Sequence, residues 1–182
     1  TFYSNKYPYC LINKNKWINF CKSKINNSNV KMINKKVEDN DSKFFVDKKL
    51  IQGDYFFDSR NITFYKNILL QHFIGLTIET NDNKFDPSTV ILMDFRCNQS
   101  RGLHFIYVIP FSENKALIES TLFSKKIEDR KFYLSAINAY LKKNFNIKFF
   151  RVLKEEKGII PLHYVNFFQE NSVSIGTRGG AT

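Results

Sequence analysis

Hydrophobic and polar positions alternate most regularly in the middle of the chain. In residues 70–79, LQHFIGLTIE, Leu or Ile stands at most of the even positions, and this period of two predicts a β-strand with one buried face. Similar apolar runs follow near residues 90–95, 103–109 and 116–122, separated by polar turns. Four consecutive strands joined by short turns predict an antiparallel meander.

Two other segments have helical spacing. In residues 11–25 the apolar stripe consists of Trp17, Phe20, Cys21 and Ile25. In residues 128–145 it consists of Tyr133, Ile137, Tyr140, Leu141 and Phe145. Apolar residues three or four positions apart share one face of a helix, so both segments are predicted to be amphipathic helices. We expect the second helix to pack on one face of the predicted sheet.

Shorter strand patterns lie on both sides of this central region. They are predicted near residues 30–32, around Val37, and at 43–46, 54–58 and 149–153. The last residues, SVSIGTRGGAT, predict a short strand that leads into three glycines. A helix followed by short strands is typical of the later part of an α/β nucleotide-binding unit. The chain is therefore predicted to leave such a domain near residue 68 and to return to it near residue 166.

Composition and charge narrow the class of protein. Of the 182 residues, 43% are hydrophobic and 16% aromatic, which excludes a disordered chain. The net charge of +11 fits a nucleic-acid or anionic-membrane partner or a solvated basic surface, and the scattered lysines favour the surface. No apolar run approaches the ~20 residues that span a bilayer. The three widely spaced cysteines predict reduced thiols in a cytoplasmic setting.

Two carboxylates lie inside predicted strands, where an unpaired charge is costly. Glu119 shares a strand face with Leu117 and Thr121. If that face is exposed to solvent, Glu119 is an ordinary surface acid. If the face lines an apolar cavity, desolvation raises the pKa of Glu119 and suits it to general acid or base catalysis. Asp94 ends its strand close to Arg96 and equally fits a salt-bridged turn residue.

Other motifs are less specific. The glycines of IGTRGG lack the GxGxxG spacing, so this segment fits a flexible terminus as well as a phosphate-binding loop. The DSR sequence at residues 58–60 fits a turn or a helix cap. His72, His104 and His163 have no metal-ligand spacing, so we interpret them as structural and predict no metal site.

Six collinear segments together resemble the flavin-dependent lycopene cyclases of bacteria and plants. They are YFFDSR, QHFIGLTIET, FDPSTVILMDFR, FIYVIPFSENKALIESTLFS, EEKGIIPL and SIGTRGG. The resemblance implies an α/β (α+β) fold in which an antiparallel β-sheet substrate domain is inserted into a Rossmann-like FAD-binding domain. Residues 1–68 and 166–182 would be parts of the FAD-binding domain. Residues 69–165, with the helix at 128–145, would be the substrate domain.

The resemblance also implies a reaction. In this family an acid protonates a terminal double bond of lycopene, the cation closes a β-ionone ring, and a base removes a proton, with no net redox change. Reduced FAD is the implied cofactor and NAD(P)H its reductant. Because lycopene resides in the bilayer, we expect an enzyme in peripheral contact with the membrane and without a nucleic-acid partner.

Two of the family's motifs contain acids. Its motif Phe/Leu-Leu/Ile-Glu-Glu/Asp-Thr aligns with residues 117–121. Glu119 matches the first acid, which implies that it is the catalytic acid/base, whereas Ser120 replaces the second acid. Asp94 matches the family's Met-Asp motif, which implies a pocket carboxylate that assists protonation or positioning.

The flavin-related matches lie near both ends. Gly176, Gly179 and Gly180 match part of the family's flavin loop, and Asp58 and Arg60 match a segment near the flavin. The family's N-terminal GxGxxG is absent from the sequence. We therefore expect a fragment, truncated at both ends, that neither holds FAD nor catalyses cyclisation by itself.

Two alternatives stay open from the sequence. One keeps the fold but changes the chemistry to a redox flavoenzyme, such as a geranylgeranyl reductase or a hydroxylase, which consumes NAD(P)H with each product. The other is a basic module without enzyme activity that binds anionic membrane or nucleic acid, motivated by the charge of +11. The sequence leaves the ring type, the number of ends cyclised and the oligomeric state open.

Overall fold

The chain divides into two compact units, Thr1–Gln52 and Gly53–Thr182. Their structure is a computed structural model, which describes residues 10, 12–26, 28–40, 43–60, 67–162 and 171–180. His163, interpreted above as structural, lies outside the described residues.

The first unit contains a helix and a small antiparallel sheet. Helix α1 spans Lys14–Asn26, and the sheet consists of β1 (Val37–Asn40), β2 (Lys43–Val46) and β3 (Lys49–Leu50), in that order. The predicted helix and the strands at Val37 and 43–46 are therefore confirmed. The sequence pattern did not reveal β3, which has only two residues.

The ends and the packing of α1 differ from the sequence pattern. The helix begins at Lys14 because the Asn13 side chain caps it by accepting a hydrogen bond from the Lys16 amide at 3.1 Å. Its apolar stripe is not buried in the part of the chain that the structure describes. Trp17 and Phe20 stack on each other with their ring centroids 5.7 Å apart, and both side chains are exposed.

The strand predicted near residues 30–32 is wrong, because a turn follows α1 and residues 30–36 belong to no strand. The Ser28 amide donates to the Ile25 carbonyl at 3.0 Å, and the Ser28 hydroxyl accepts from the Val30 amide at 3.3 Å. These local bonds use backbone groups that a β-ladder would need.

The second unit contains one long antiparallel sheet, one helix and a two-stranded parallel sheet. In chain order its elements are β4 (Phe56–Asp58), β5 (Leu70–Glu79), β6 (Ile91–Asp94), β7 (Leu103–Ser112), β8 (Lys115–Ser124), α2 (Arg130–Phe145), β9 (Arg151–Pro161), β10 (Ser172–Ser174) and a 3-10 turn at Gly176–Gly179. The five-stranded sheet has the order β6-β7-β8-β5-β9, and β4 pairs with β10.

The sheet order corrects the predicted meander. Strands β6, β7 and β8 follow one another as predicted, but β5 lies between β8 and β9 instead of beside β6. Strand β5 pairs with β8 over ten residues, from Leu70 opposite Ser124 to Glu79 opposite Lys115. Strand β6 has only four residues and an irregular register, so it could not satisfy the backbone groups of β5.

Strand β9 is also longer than the predicted strand at 149–153. It runs from Arg151 to Pro161 and includes the charged sequence KEEKG. This polar sequence did not predict a strand because it lacks an apolar face. Charged side chains are nevertheless typical of an edge strand, and β9 is at one edge of the sheet.

Helix α2 covers one face of the five-stranded sheet, as predicted. The Asp129 side chain caps the helix by accepting from the Phe132 amide at 2.9 Å. The buried side of the helix contributes Tyr133, Ile137, Tyr140 and Leu141. These side chains pack in one core with Ile74, Leu76, Ile106, Val108, Ile118 and Leu122 of the sheet. We call this side of the sheet the helix-covered face.

The opposite side of the sheet carries the alternate residues of the same strands. Thr121 is paired with Phe73 on one neighbouring strand and with Phe105 on the other, and Glu119 is paired with Tyr107. We call this side the aromatic face; its residues are Phe73, Gly75, Phe105, Tyr107, Leu117, Glu119, Thr121, Phe123, Glu156 and Gly158.

Candidate active site on the aromatic face

Glu119 lies in the middle of β8 and is half-buried on the aromatic face. The Thr121 hydroxyl donates a hydrogen bond to its Oε1 atom at 2.7 Å. Burial raises the pKa of the Glu119 carboxyl above its usual value, the bond from Thr121 opposes this shift, and the negative charge of Glu156 adds to it. Desolvation is the largest of these effects, so the surroundings favour a protonated Glu119 more than water does.

A glycine makes room for this carboxyl group. Gly75 stands opposite Glu119 on β5 and opposite Glu156 across the next pair of strands. A Cβ atom at Gly75 would lie 3.1 Å from Leu117 Cδ1, 3.3 Å from Glu156 Cγ and 3.6 Å from Glu119 Oε2. The two acidic side chains therefore approach each other over a position that has no side chain of its own.

Aromatic rings form the rest of this neighbourhood. Phe105 is 1% exposed, and its ring makes edge-to-face contacts with Phe95, Tyr107 and Phe123 at centroid distances of 5.4, 5.3 and 5.5 Å. The ring of Phe73 occupies the space where a side chain at position 158 would lie, so the glycine lets this ring pack against β9. Glu119 thus stands beside an apolar, π-rich surface.

Asp94 lies on the helix-covered face, so the structure does not bring it together with Glu119. Its register partner is Ile106, which points into the core under α2. Its oxygens accept from Arg96 Nε at 2.9 Å, from Arg96 Nη2 at 2.6 Å and from the Tyr140 hydroxyl at 2.6 Å. The hydrogen bonds from Arg96 lower the pKa of Asp94 well below its usual range; burial opposes this shift and Tyr140 supports it.

Ser120 also points into the helix-covered face. It is fully buried, and its hydroxyl lies 2.8 Å from His104 Nε2. The other ring nitrogen of His104 lies 2.9 Å from the Asn98 carbonyl, which can only accept, so Nδ1 carries the proton and Nε2 accepts from Ser120. Neighbouring residues of a strand face opposite sides, so the second position of the acidic motif is separated from Glu119 by the sheet.

His72 is likewise a core residue. Its Nδ1 lies 2.5 Å from the Tyr133 hydroxyl and its Nε2 lies 2.9 Å from the Ser124 hydroxyl. Burial lowers the pKa of both His72 and His104, so their surroundings favour the neutral imidazole. In the described residues, no group of three or more His, Cys, Asp or Glu side chains could hold a metal ion.

The flavin candidates form a second group of residues. Strands β4 and β10 pair in parallel with Ser174 opposite Asp58, and the Ile175 amide donates to the Asp58 carbonyl at 2.9 Å. This pairing places Asp58 and Arg60 beside the turn that holds the glycines. The structure thus brings the two flavin-related segments together, although they are more than 100 residues apart in the sequence.

Asp58 links these segments through charge. Arg60 Nη2 donates to Asp58 Oδ2 at 2.8 Å, and Arg178 Nε lies 3.1 Å from the same oxygen. The hydrogen bond from the Arg60 side chain lowers the pKa of Asp58, burial opposes the shift, and the charge of Arg178 adds to it. Arg178 was not among the residues predicted from the sequence, although its position between the glycines of IGTRGG was a usable signal.

The three glycines have different local roles. Gly176 and Gly180 have φ angles of 61° and 84°, in the left-handed region that favours glycine. Gly179 has no room for a side chain, since a Cβ atom there would lie 2.4 Å from the Ser174 carbonyl oxygen. The turn therefore exposes backbone rather than side chains at three of its positions.

A cavity of about 620 Å³ adjoins this turn and the edge strand. Its lining includes Arg60, His72, Tyr133, Glu155, Lys157 and Arg178. Phe73 and Gly158 of the aromatic face also line it, whereas Glu119 does not. Within the described ranges, no helix has both the length and the apolar character needed to cross a membrane.

Comparisons with known proteins give the family. The family described as "Lycopene cyclase protein" matches residues 8–182. Lycopene beta-cyclase of Paracoccus sp. (strain N81106 / MBIC 01143) is 39% identical over 66 residues, a segment that covers 36% of this chain and 16% of that protein. The chain thus matches only a small part of this relative.

Two solved structures resemble the fold. A geranylgeranyl bacteriochlorophyll reductase-like protein from Thermoplasma acidophilum has a TM-score of 0.55 at 11% identity, with 79% of this chain and 40% of that protein covered. A triple mutant of the flavin-dependent brominase Bmp2 has a TM-score of 0.53 at 12% identity, with 90% and 48% covered. These likenesses concern the fold alone and confirm a mixed α/β class with antiparallel sheet. Because the family match extends over nearly all of the chain, this chain belongs to the lycopene cyclase family.

Proposed function

We propose that the protein that carries this chain is a lycopene β-cyclase, in which Glu119 is the catalytic acid/base. The observation that carries this proposal is the position of Glu119, half-buried beside aromatic rings, with its pKa raised by burial. A carboxyl group whose surroundings favour its protonated form is suited to protonate an alkene, and an apolar surface suits a polyene substrate. The proposal covers the whole protein, of which this chain supplies one part.

The residues of the aromatic face take separate roles in this mechanism. The Glu119 carboxyl gives its proton to the terminal double bond of lycopene, and a second double bond of the polyene then attacks the cation and closes the ring. The carboxylate left on Glu119 is suited to take up the proton whose loss completes the β-ionone ring. Thr121 orients the carboxyl group, while Tyr107 and the neighbouring phenylalanines exclude water and present π-electrons to the cation.

FAD is the proposed cofactor. The turn at Gly176–Gly179 and the segment of Asp58 and Arg60 would contact it, because the glycines keep side chains away from the backbone of the turn and Arg178 adds a positive charge. When bound, reduced FAD supplies electron density that stabilises the cation, and NAD(P)H is its proposed reductant. The parallel pairing of β4 with β10 supports a common domain for residues 56–58 and 172–174. We propose that residues 1–68 and 166–182 belong to a Rossmann-like flavin domain and residues 69–165 to the substrate domain.

Asp94 has a supporting role in this proposal. Its hydrogen bonds to Arg96 and Tyr140 connect β6 to α2, so it positions the sheet on which Glu119 stands. We further propose that the protein contacts the membrane peripherally to reach lycopene. The net charge of +11 supports attraction to an anionic lipid surface.

The test is to replace Glu119 in the full-length protein. We expect Glu119→Gln to reduce β-cyclisation of lycopene by about 10²–10⁴-fold, since Gln keeps the shape but has no proton to give. Product is measured by chromatography with purified, flavin-reduced enzyme. Glu113→Gln, the same change at an exposed position between β7 and β8, is the matched control and should cyclise like the parent. Full cyclisation by the Glu119 variant would rule out the assignment.

The fold likeness to a reductase-like protein favours one rival function, a redox flavoenzyme. The same assay separates the two functions when NAD(P)H is followed together with product. A cyclase needs reductant only to reduce its flavin, so product should accumulate far beyond the NAD(P)H consumed. One NAD(P)H oxidised for every product molecule would favour the redox enzyme.

A further inference from the structure

We propose that Glu156 is a positioning residue for the proton of Glu119: its carboxylate faces Glu119 over Gly75 and favours the protonated form of the catalytic acid. This inference rests on the proposed function, because it gives Glu119 the role of proton donor. Glu156 belongs to the EEKG sequence of β9 and lies 37 positions after Glu119 in the sequence.

The register of the sheet brings the two acids to the same side. Gly75 is paired with Glu119 on one neighbouring strand and with Glu156 on the other, so all three lie in one row across the aromatic face. Both acidic side chains come within 3.6 Å of the place where a Cβ atom of Gly75 would be. The missing side chain therefore removes the barrier that would otherwise separate them.

Glu119 has neighbours on the aromatic face from three other strands. On β7 its paired residue is Tyr107, on β5 it is Gly75, and on β9 the next residue in the row is Glu156. The Lys154 ammonium donates to Glu156 Oε2 at 2.8 Å, so an ion pair holds this second acid in the row. A negative charge close to a carboxyl group opposes its ionisation, and Glu156 is one of the causes that raise the pKa of Glu119.

The replacement at Ser120 strengthens the case for Glu156. Ser120 and any acid in its place would point into the helix-covered face, away from Glu119. A second carboxylate that acts on Glu119 must therefore come from another strand on the aromatic face. In the described part of the sheet, Glu156 fulfils this condition.

The test is the pH dependence of cyclisation by the full-length protein. Activity that requires a protonated Glu119 declines as the pH rises through its pKa. Glu156→Gln removes the neighbouring negative charge, lowers that pKa, and should move the decline to lower pH. Lys154→Met leaves the charge of Glu156 unpaired and should move the decline in the opposite direction. Glu155→Gln is the matched control, because Glu155 points to α2, where it pairs with Arg130, and should not move the decline.

The outcomes separate this inference from the proposed function. A decline that stays in place in the Glu156 variant would overturn the role of Glu156. If that variant does not fold, Lys154→Met decides: a shift to higher pH supports the inference, and an unchanged profile overturns it. If instead the Glu119→Gln variant keeps the activity and the pH profile of the parent, the proposed function of Glu119 fails before Glu156 is considered.

Discussion

The two faces of the five-stranded sheet shift the pKa values of their acids in opposite directions. On the helix-covered face, Asp94 is 8% exposed and accepts hydrogen bonds from Arg96 and Tyr140. On the aromatic face, Glu119 accepts a bond from the neutral Thr121 and has the carboxylate of Glu156 nearby. The pKa of Asp94 is accordingly lowered, whereas that of Glu119 is raised.

This difference separates structural acids from reactive ones. An acid that is ionised and bonded to cationic donors contributes to stability, but it has no proton to deliver near neutral pH. An acid whose surroundings disfavour its charge lowers stability and keeps its proton available. Burial alone does not distinguish the two cases, since Asp94 and Glu119 are both removed from solvent to a large extent; the bonding partners do.

The largest expected effect concerns Asp94. We expect Asp94→Asn to lower the free energy of unfolding by about 2–4 kcal/mol, because Asn cannot accept all of the bonds from Arg96 and Tyr140. Since the folded-state pKa of Asp94 is depressed, its contribution is present above about pH 4 and is lost in the parent as the pH falls further. Urea unfolding at pH 7 and pH 3 measures both effects. Asp82→Asn, at an exposed position, is the control; equal stability of the two variants at pH 7 would contradict the structural role.

A smaller effect is expected at Ser120. Ser120→Ala leaves the buried Nε2 atom of His104 without its donor, so we expect a loss of about 1–2 kcal/mol in unfolding free energy. Cyclisation should stay close to that of the parent, because Ser120 is on the opposite face from Glu119. The measurement compares chemical denaturation with product formation at saturating lycopene. A Ser120→Ala variant that folds normally but no longer cyclises would place this residue in the reaction and break the distinction between the two faces.

The sequence predicted the elements better than their arrangement. Period-two alternation located β5, β7 and β8, and helical spacing located α2, because these segments each bury one regular face. The place of β5 between β8 and β9 depends on pairing between distant strands, which local periodicity does not report. Most of strand β9 could not be predicted from its charged sequence, since the side chains of an edge strand need not be apolar.

The same limit applies to the site. Alternation placed Glu119 with Leu117 and Thr121, and the resemblance drew attention to Glu119, but neither showed what lies across the neighbouring strands. Glu156 and Gly75 become part of the site only through the strand register. Asp94 and Glu119 looked equivalent as acids within strands, and only their opposite faces and different partners separate them.

The smallest effect, and the one with opposite sign, is expected for the stability of the Glu119→Gln variant. The folded-state pKa of Glu119 is raised, so the parent loses stability as the pH rises through that pKa, whereas Gln, which does not ionise, avoids this loss. Gln can still accept the hydrogen bond from Thr121. At pH 8 we therefore expect the variant to be as stable as the parent or more stable by up to about 1 kcal/mol, a difference that disappears below about pH 4.

Urea unfolding across this pH range, with Glu113→Gln as the control, provides the measurement for Glu119→Gln. A loss of stability comparable to that of Asp94→Asn would mean that Glu119 is a structural acid like Asp94. A variant that keeps its stability and loses cyclisation would show that the fold does not need the Glu119 carboxyl group. That group would then serve the reaction.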